Sequence, residues 1–75
     1  AIEHYQQALT LFEQIGGRLG TLHCLVALGG IYHAQPNYQI AQAYYEQALP
    51  LAVALPVASE LVSHIRQSLA DISKM

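Results

Sequence analysis

"AIEHYQQALTL" (Ala1–Leu11) and "AQAYYEQALPL" (Ala41–Leu51) stand forty residues apart and agree in Ala, Tyr, Gln, Ala, Leu and Leu, six of eleven positions. Further along, "LGGIY" (Leu28–Tyr32) is answered by "LADIS" (Leu69–Ser73) at an offset of 41, one residue having been gained in the linker. Self-similarity at a period of roughly 20–50 residues marks stacked supersecondary units, none of which buries its apolar face alone. The chain is therefore read as a repeat before any single motif is weighed.

Each unit is helical by its periodicity. Tyr5, Ala8, Leu9, Phe12 and Ile15 recur at steps of three and four, as do Leu22, Leu25, Leu28, Ile31 and Tyr32. Tyr38, Ala41, Tyr45, Ala48 and Leu49 continue the pattern. That spacing keeps apolar side chains on one face of a 3.6-residue turn. Gly16-Gly17 ends the first helix, because glycine takes the left-handed turn at low cost. Pro36 ends the second by forcing the residue before it out of the helical region. Asn37 is placed to cap the third with its side-chain oxygen, and Pro56 or Val57 opens the fourth. The expected helices are 1–15, 18–34, 38–55 and 57–73, with a kink or an early stop at Pro50. Connections of about three residues make successive helices antiparallel.

From Leu19 to Ala34 the second helix carries no Asp, Glu, Lys or Arg. A helix without a charged face is flanked on several sides. Ala27, Gly29 and Gly30 would let a neighbouring backbone come close, which compensates a cost of roughly 1 kcal/mol per glycine relative to alanine.

Composition narrows the function. The chain has 75 residues, 53% of them hydrophobic and 11% charged. That charge is too low for disorder, and the apolar content exceeds what so small a domain hides easily. Some apolar surface is expected to meet a further part of a longer protein or a second copy. The helical pattern starts at a non-Met first residue with no capping residue ahead of it, which reads as a piece of a longer chain. Net charge is −2, and Arg18, Arg66 and Lys74 are scattered, so phosphate recognition along a nucleic acid is not expected. "ALPLAVALPVA" (Ala48–Ala58) is too short for a bilayer span, which needs about 20 apolar residues. Cys24 is the single cysteine. It is read as a buried small apolar residue in a reduced, cytoplasmic setting.

These residues resemble the tetratricopeptide repeat. Leu28, Gly29 and Tyr32 stand where its first helix carries a Leu-Gly and a Tyr; Ala41, Tyr45 and Ala48 match the Ala-aromatic-Ala of its second. The resemblance implies an all-α fold of antiparallel helical hairpins stacked as a short right-handed α-solenoid of four helices. Residues 1–15 would be the second helix of a preceding repeat, 18–55 one full repeat, and 57–73 the first helix of a following one. A period of 40 exceeds the usual 34 or so; it is similar to the extended repeats of kinesin light chains and of bacterial regulatory and signalling proteins. Pro36 replaces the glycine usual at the turn between the paired helices. Proline cannot take positive φ, so this turn must be built differently. Ser73 replaces an aromatic in the last half-repeat.

The resemblance also implies a concave groove lined by the first helix of each repeat. His23, Val26, Gly30 and His33 share one face of the second helix. His64, Gln67, Asp71 and Lys74 share the matching face of the fourth. Gly30 would leave a hollow between two histidines. Val26 and Gly30 stand where a lysine and an asparagine would make a carboxylate clamp, so capture of chaperone tails is not expected. The alternative for this face is plain solvation or contact with the next repeat.

His4, His23, His33 and His64 lack the three- or four-residue spacing of helical metal ligands. No metal, cofactor or catalytic set is expected, and Glu3, Glu13, Glu46 and Glu60 are single acids rather than a pair. Tyr5, Tyr32, Tyr38, Tyr44 and Tyr45 read as packing residues. The expected function is a non-enzymatic protein-interaction scaffold that binds a peptide or helix of a partner. A structural or oligomerising segment is the alternative, and a supporting piece of an enzyme or sensor is a third.

Overall fold

The computed structural model describes residues 2–74; Ala1, part of the repeat motif, lies outside them. Four helices follow one another: α1 (Ile2–Ile15), α2 (Arg18–Ala34), α3 (Tyr38–Ala54) and α4 (Ser59–Ser73). Among the described residues there is no strand. α2 lies against both α1 and α3, and α3 against both α2 and α4. The Cα envelope measures 36 × 28 × 14 Å. Two helix layers about 9 Å apart, each with a Cα radius of about 2.3 Å, account for the shortest dimension.

The first turn forms as its glycines dictate. Gly16 has φ +73°, and the Gly17 N–H donates to the Phe12 carbonyl at 2.8 Å, five residues back. That bond closes the last turn of α1 in a Schellman arrangement. Among the described residues no other takes positive φ, so the Pro36 turn is built differently. The Tyr32 carbonyl accepts from Gln35 N at 3.3 Å and from Asn37 N at 2.7 Å, with Gln35 held at φ −81°, ψ 7°.

Two local expectations need correction, and of the two outcomes expected at Pro50 the early stop does not occur. Asn37 sits at the cap position of α3 but makes no side-chain cap; its backbone carbonyl accepts from Ala41 N at 3.1 Å. Its φ −95° and ψ 74° lie outside the β-region backbone from which a capping oxygen ordinarily reaches back to the helix. Pro50 does not stop α3, which continues to Ala54. Pro50 and Glu46 are both exposed, so water can serve the Glu46 carbonyl that the ring leaves without a donor. α4 does not open directly at Val57: a 3-10 turn over Pro56–Ala58 comes first, with Ala58 N donating to Leu55 O at 3.0 Å.

The core joins α2, α3, the 3-10 turn and α4 through Leu22, Leu25, Ala41, Tyr45, Ala48, Ala52, Ala58, Ile65 and Ile72. Gly29 belongs here because a Cβ on it would lie 2.9 Å from Cε1 and Cζ of Tyr45. Carbon atoms in contact ordinarily stay 3.5–4.0 Å apart, so the ring occupies the place of the missing side chain. Gly20, which the repeat pattern does not single out, plays the same part toward α1; its Cβ would run into the Phe12 ring. Gly30 does not. It is exposed, and the only atom near a Cβ there is Tyr45 Oη at 3.7 Å, an ordinary contact. Close packing therefore compensates Gly29 and leaves Gly30 unexplained.

α1 has no buried residue. Tyr5, the counterpart of Tyr45, is 40% exposed where Tyr45 is 1% exposed. Leu11 and Ile15 are exposed beside it. Tyr5 is thus not a packed seam residue, because among the described residues no glycine receives its ring as Gly29 receives that of Tyr45.

Candidate functional site

The two faces singled out in the sequence meet at Tyr45. Its ring rests on the Gly29 backbone, its hydroxyl reaches below Gly30 on α2, and its edge meets His64 of α4 at 6.4 Å between centroids, interplanar angle 76°. One α3 side chain therefore spans the gap between α2 and α4. Tyr45 belongs to the packing signature; the pattern offers no signal that its polar end lies by the α2 face that carries Gly30, since that follows only from what stands at Gly30.

The remaining groove residues are placed as follows. His23, Gly30, His64 and Gln67 are exposed, and Val26, His33 and Asp71 are half-buried. His33 does not flank the Gly30 hollow freely: its imidazole is edge-on to Tyr38 at 5.5 Å, 70° between planes. Gln67 Nε2 donates to Asp71 Oδ1 at 3.1 Å, a bond one helical turn long that orients the carboxylate along α4. Glu60, four residues before His64, shares its face by the same spacing and adds a second acid there. Lys74 is exposed at the far end. This surface carries both signs and no strong field.

The packing signature lies inside. Leu28, Gly29, Ala41, Tyr45 and Ala48 are buried, and Tyr32 is half-buried, stacked on Tyr44 at 5.7 Å and 13°. Cys24 is buried, and that burial raises its thiol above the ordinary value of 9.0. A depression of about 380 Å³ lies away from the groove, lined by Ile2, Glu3, His4, Ile31 and Gln35 between the start of α1 and the end of α2. Among the described residues no three of His, Cys, Asp and Glu come close enough to hold a metal ion. None of the helices is long and apolar enough to cross a membrane.

A family model described as tetratricopeptide repeat matches residues 1–52. No curated protein and no solved structure matches the chain. The matched span takes in α1, α2 and most of α3, well over half of the 75 residues, and the chain belongs to the tetratricopeptide-repeat family.

Proposed function

We propose that this chain is a protein-interaction scaffold whose partner-binding groove runs between the outward faces of α2 and α4. Tetratricopeptide repeats as a family mediate protein–protein contacts, which sets the class. The observation that carries the groove is Tyr45, whose hydroxyl lies 3.7 Å from where a Cβ of Gly30 would stand and whose ring meets His64, so that one side chain lies between the two helix faces. His23, Val26, Gly30 and His33 would line one wall; His64, Gln67 and Asp71 would line the other. In this reading α1 is the second helix of one repeat, α2 and α3 form a complete one, and α4 is the first helix of a third.

A second contact surface is favoured by a different observation. Leu11 and Ile15, one turn apart, leave α1 with an exposed apolar patch, and Tyr5, exposed elsewhere on the helix, stands where a helix carrying a glycine like Gly29 would cover it. α4 is unlike it. At the 41-residue offset, Leu22, Leu25, Gly29 and Tyr32, the α2 residues toward α3, become Ser63, Arg66, Ala70 and Ser73, all exposed. A polar outer face is what the end unit of a repeat stack presents to water. Stacking onto further units, whether of a longer chain or a second copy, would therefore run through α1.

Gly30→Glu fills the hollow with a charged side chain and leaves α1 untouched. Proteins captured by the wild-type chain should be lost from the variant, while its sedimentation profile stays the same. A variant that loses its self-association yet still captures the same proteins would show that the groove is misplaced.

A further inference from the structure

Resting on the groove reading above, we infer that the Gly30–Tyr45 notch is a hydrogen-bonding subsite in which the Tyr45 hydroxyl donates to a main-chain carbonyl of an extended partner segment. Four glycines of this chain meet the α1–α2 turn or a neighbouring ring: Gly16 and Gly17 make the turn, and Gly20 and Gly29 each receive an aromatic side chain. Gly30 does neither. A Cβ there would find a single atom within 4 Å, Tyr45 Oη at 3.7 Å, at an ordinary contact distance. Alanine would fit and would favour the helix. What alanine would also do is stand over the hydroxyl.

That hydroxyl is unused within the protein. Tyr45 is 1% exposed, yet Oη makes no hydrogen bond among the described residues. Among the described residues no side-chain N or O atom that is sealed from solvent lacks a partner. An unbonded Oη must therefore be the part of Tyr45 that reaches the surface, and at Gly30, where a Cβ would lie 3.7 Å from it, no side chain stands in the way. A buried ring fixes the donor's position, and glycine permits close approach of another backbone.

The acceptor is best uncharged. Glu60 and Asp71 lie on the α4 side of this surface and Lys74 stands at its far end, so the groove residues nearest the notch include no Lys or Arg to pair with a partner carboxylate. A peptide carbonyl needs no such partner. Carbonyls in the interior of a helix are already bonded to their own N–H groups and only the last four are free, whereas an extended segment offers a free carbonyl at every residue.

The probe is a library of random dodecapeptides displayed on phage and selected on the whole chain, the best binder then being made synthetically. Tyr45→Phe should weaken that peptide roughly three- to tenfold, the worth of one neutral hydrogen bond, with an unchanged melting temperature. Replacing each peptide amide by an ester, one at a time, should find one position that weakens binding to wild type but has no further effect on Tyr45→Phe. This scan needs no change to the protein fold. Equal binding to wild type and Tyr45→Phe, with loss on Gly30→Glu, would overturn the inference and leave the groove standing. Indifference to both variants would overturn the groove itself. Dependence on a peptide Glu that Gln cannot replace would make the acceptor a side-chain carboxylate and refute the main-chain assignment, and selection of no peptide would refute the subsite.

Discussion

Gly29 and Gly30 are neighbours in one helix, both glycine, and alanine should act on them in opposite directions. At either position the substitution recovers roughly 1 kcal/mol of helix propensity. At Gly30 nothing opposes that gain, since the new methyl meets only Tyr45 Oη at 3.7 Å. At Gly29 the methyl would lie 2.9 Å from Cε1 and Cζ of Tyr45 and 3.1 Å from Cδ1. The ring has no room to retreat: Tyr45 is 1% exposed and belongs to the cluster with Leu22, Leu25 and Ala41. Over-packing of this kind costs about 1–3 kcal/mol. Propensity cancels in the comparison, so Gly29→Ala should fall about 1–3 kcal/mol below Gly30→Ala. For a domain of this size each kcal/mol moves the melting temperature by about 4–8 °C, which thermal unfolding followed by circular dichroism resolves easily. Equal melting of the two variants would mean that the Tyr45 ring does not lie on Gly29, and the nesting of α3 on α2 described above would be wrong.

Other outcomes follow from the same geometry. Leu28→Ala, at a side chain with no exposed surface, should destabilise by about 2–5 kcal/mol in urea titration; a loss below 1 kcal/mol would place the core face of α2 elsewhere. Cys24 should resist alkylation in the folded chain, because burial disfavours the thiolate. Its folded value lies above the unfolded one, so its effect on stability is flat below the unfolded value near 9.0. Stability should then decline as pH rises from there toward the folded value, a slope that Cys24→Ala should reduce. Replacing Leu11 and Ile15 by Lys should leave monomer stability within about 0.5 kcal/mol of wild type, as for ordinary surface changes. The same pair should reduce any concentration-dependent association measured by sedimentation, and unchanged association would move the contact off α1.

Helix positions were legible because glycine and proline act locally. Gly16 alone explains the end of α1, and Pro36 the end of α2. The resemblance to the tetratricopeptide repeat placed Gly29 and Tyr45 in one packing signature, on the first and second helices of a repeat. What escaped the sequence is what depends on which neighbour is present. Tyr5 and Tyr45 look alike in the repeat, yet one is open and the other enclosed, since only Tyr45 has a glycine-bearing helix over it. Gly20 and Phe12 carry no repeat signal and meet only once α1 folds back on α2. Gly29 and Gly30 both read as letting a neighbouring backbone come close, but successive residues on a helix point about 100° apart, and only the first faces the ring. The Asn37 cap failed for a similar reason: residue type permits a cap, and backbone angles decide whether it forms.

The most direct test of the stack is a nuclear Overhauser measurement on the intact chain between the Tyr45 ring protons and the Gly29 Hα pair. Strong cross-peaks, with the Gly29 protons shifted upfield by the ring and weaker contacts from Tyr45 to His64, are expected. Tyr45 ring protons that relax only with residues of their own helix would contradict the nesting of the repeats, and with it the groove built on Tyr45.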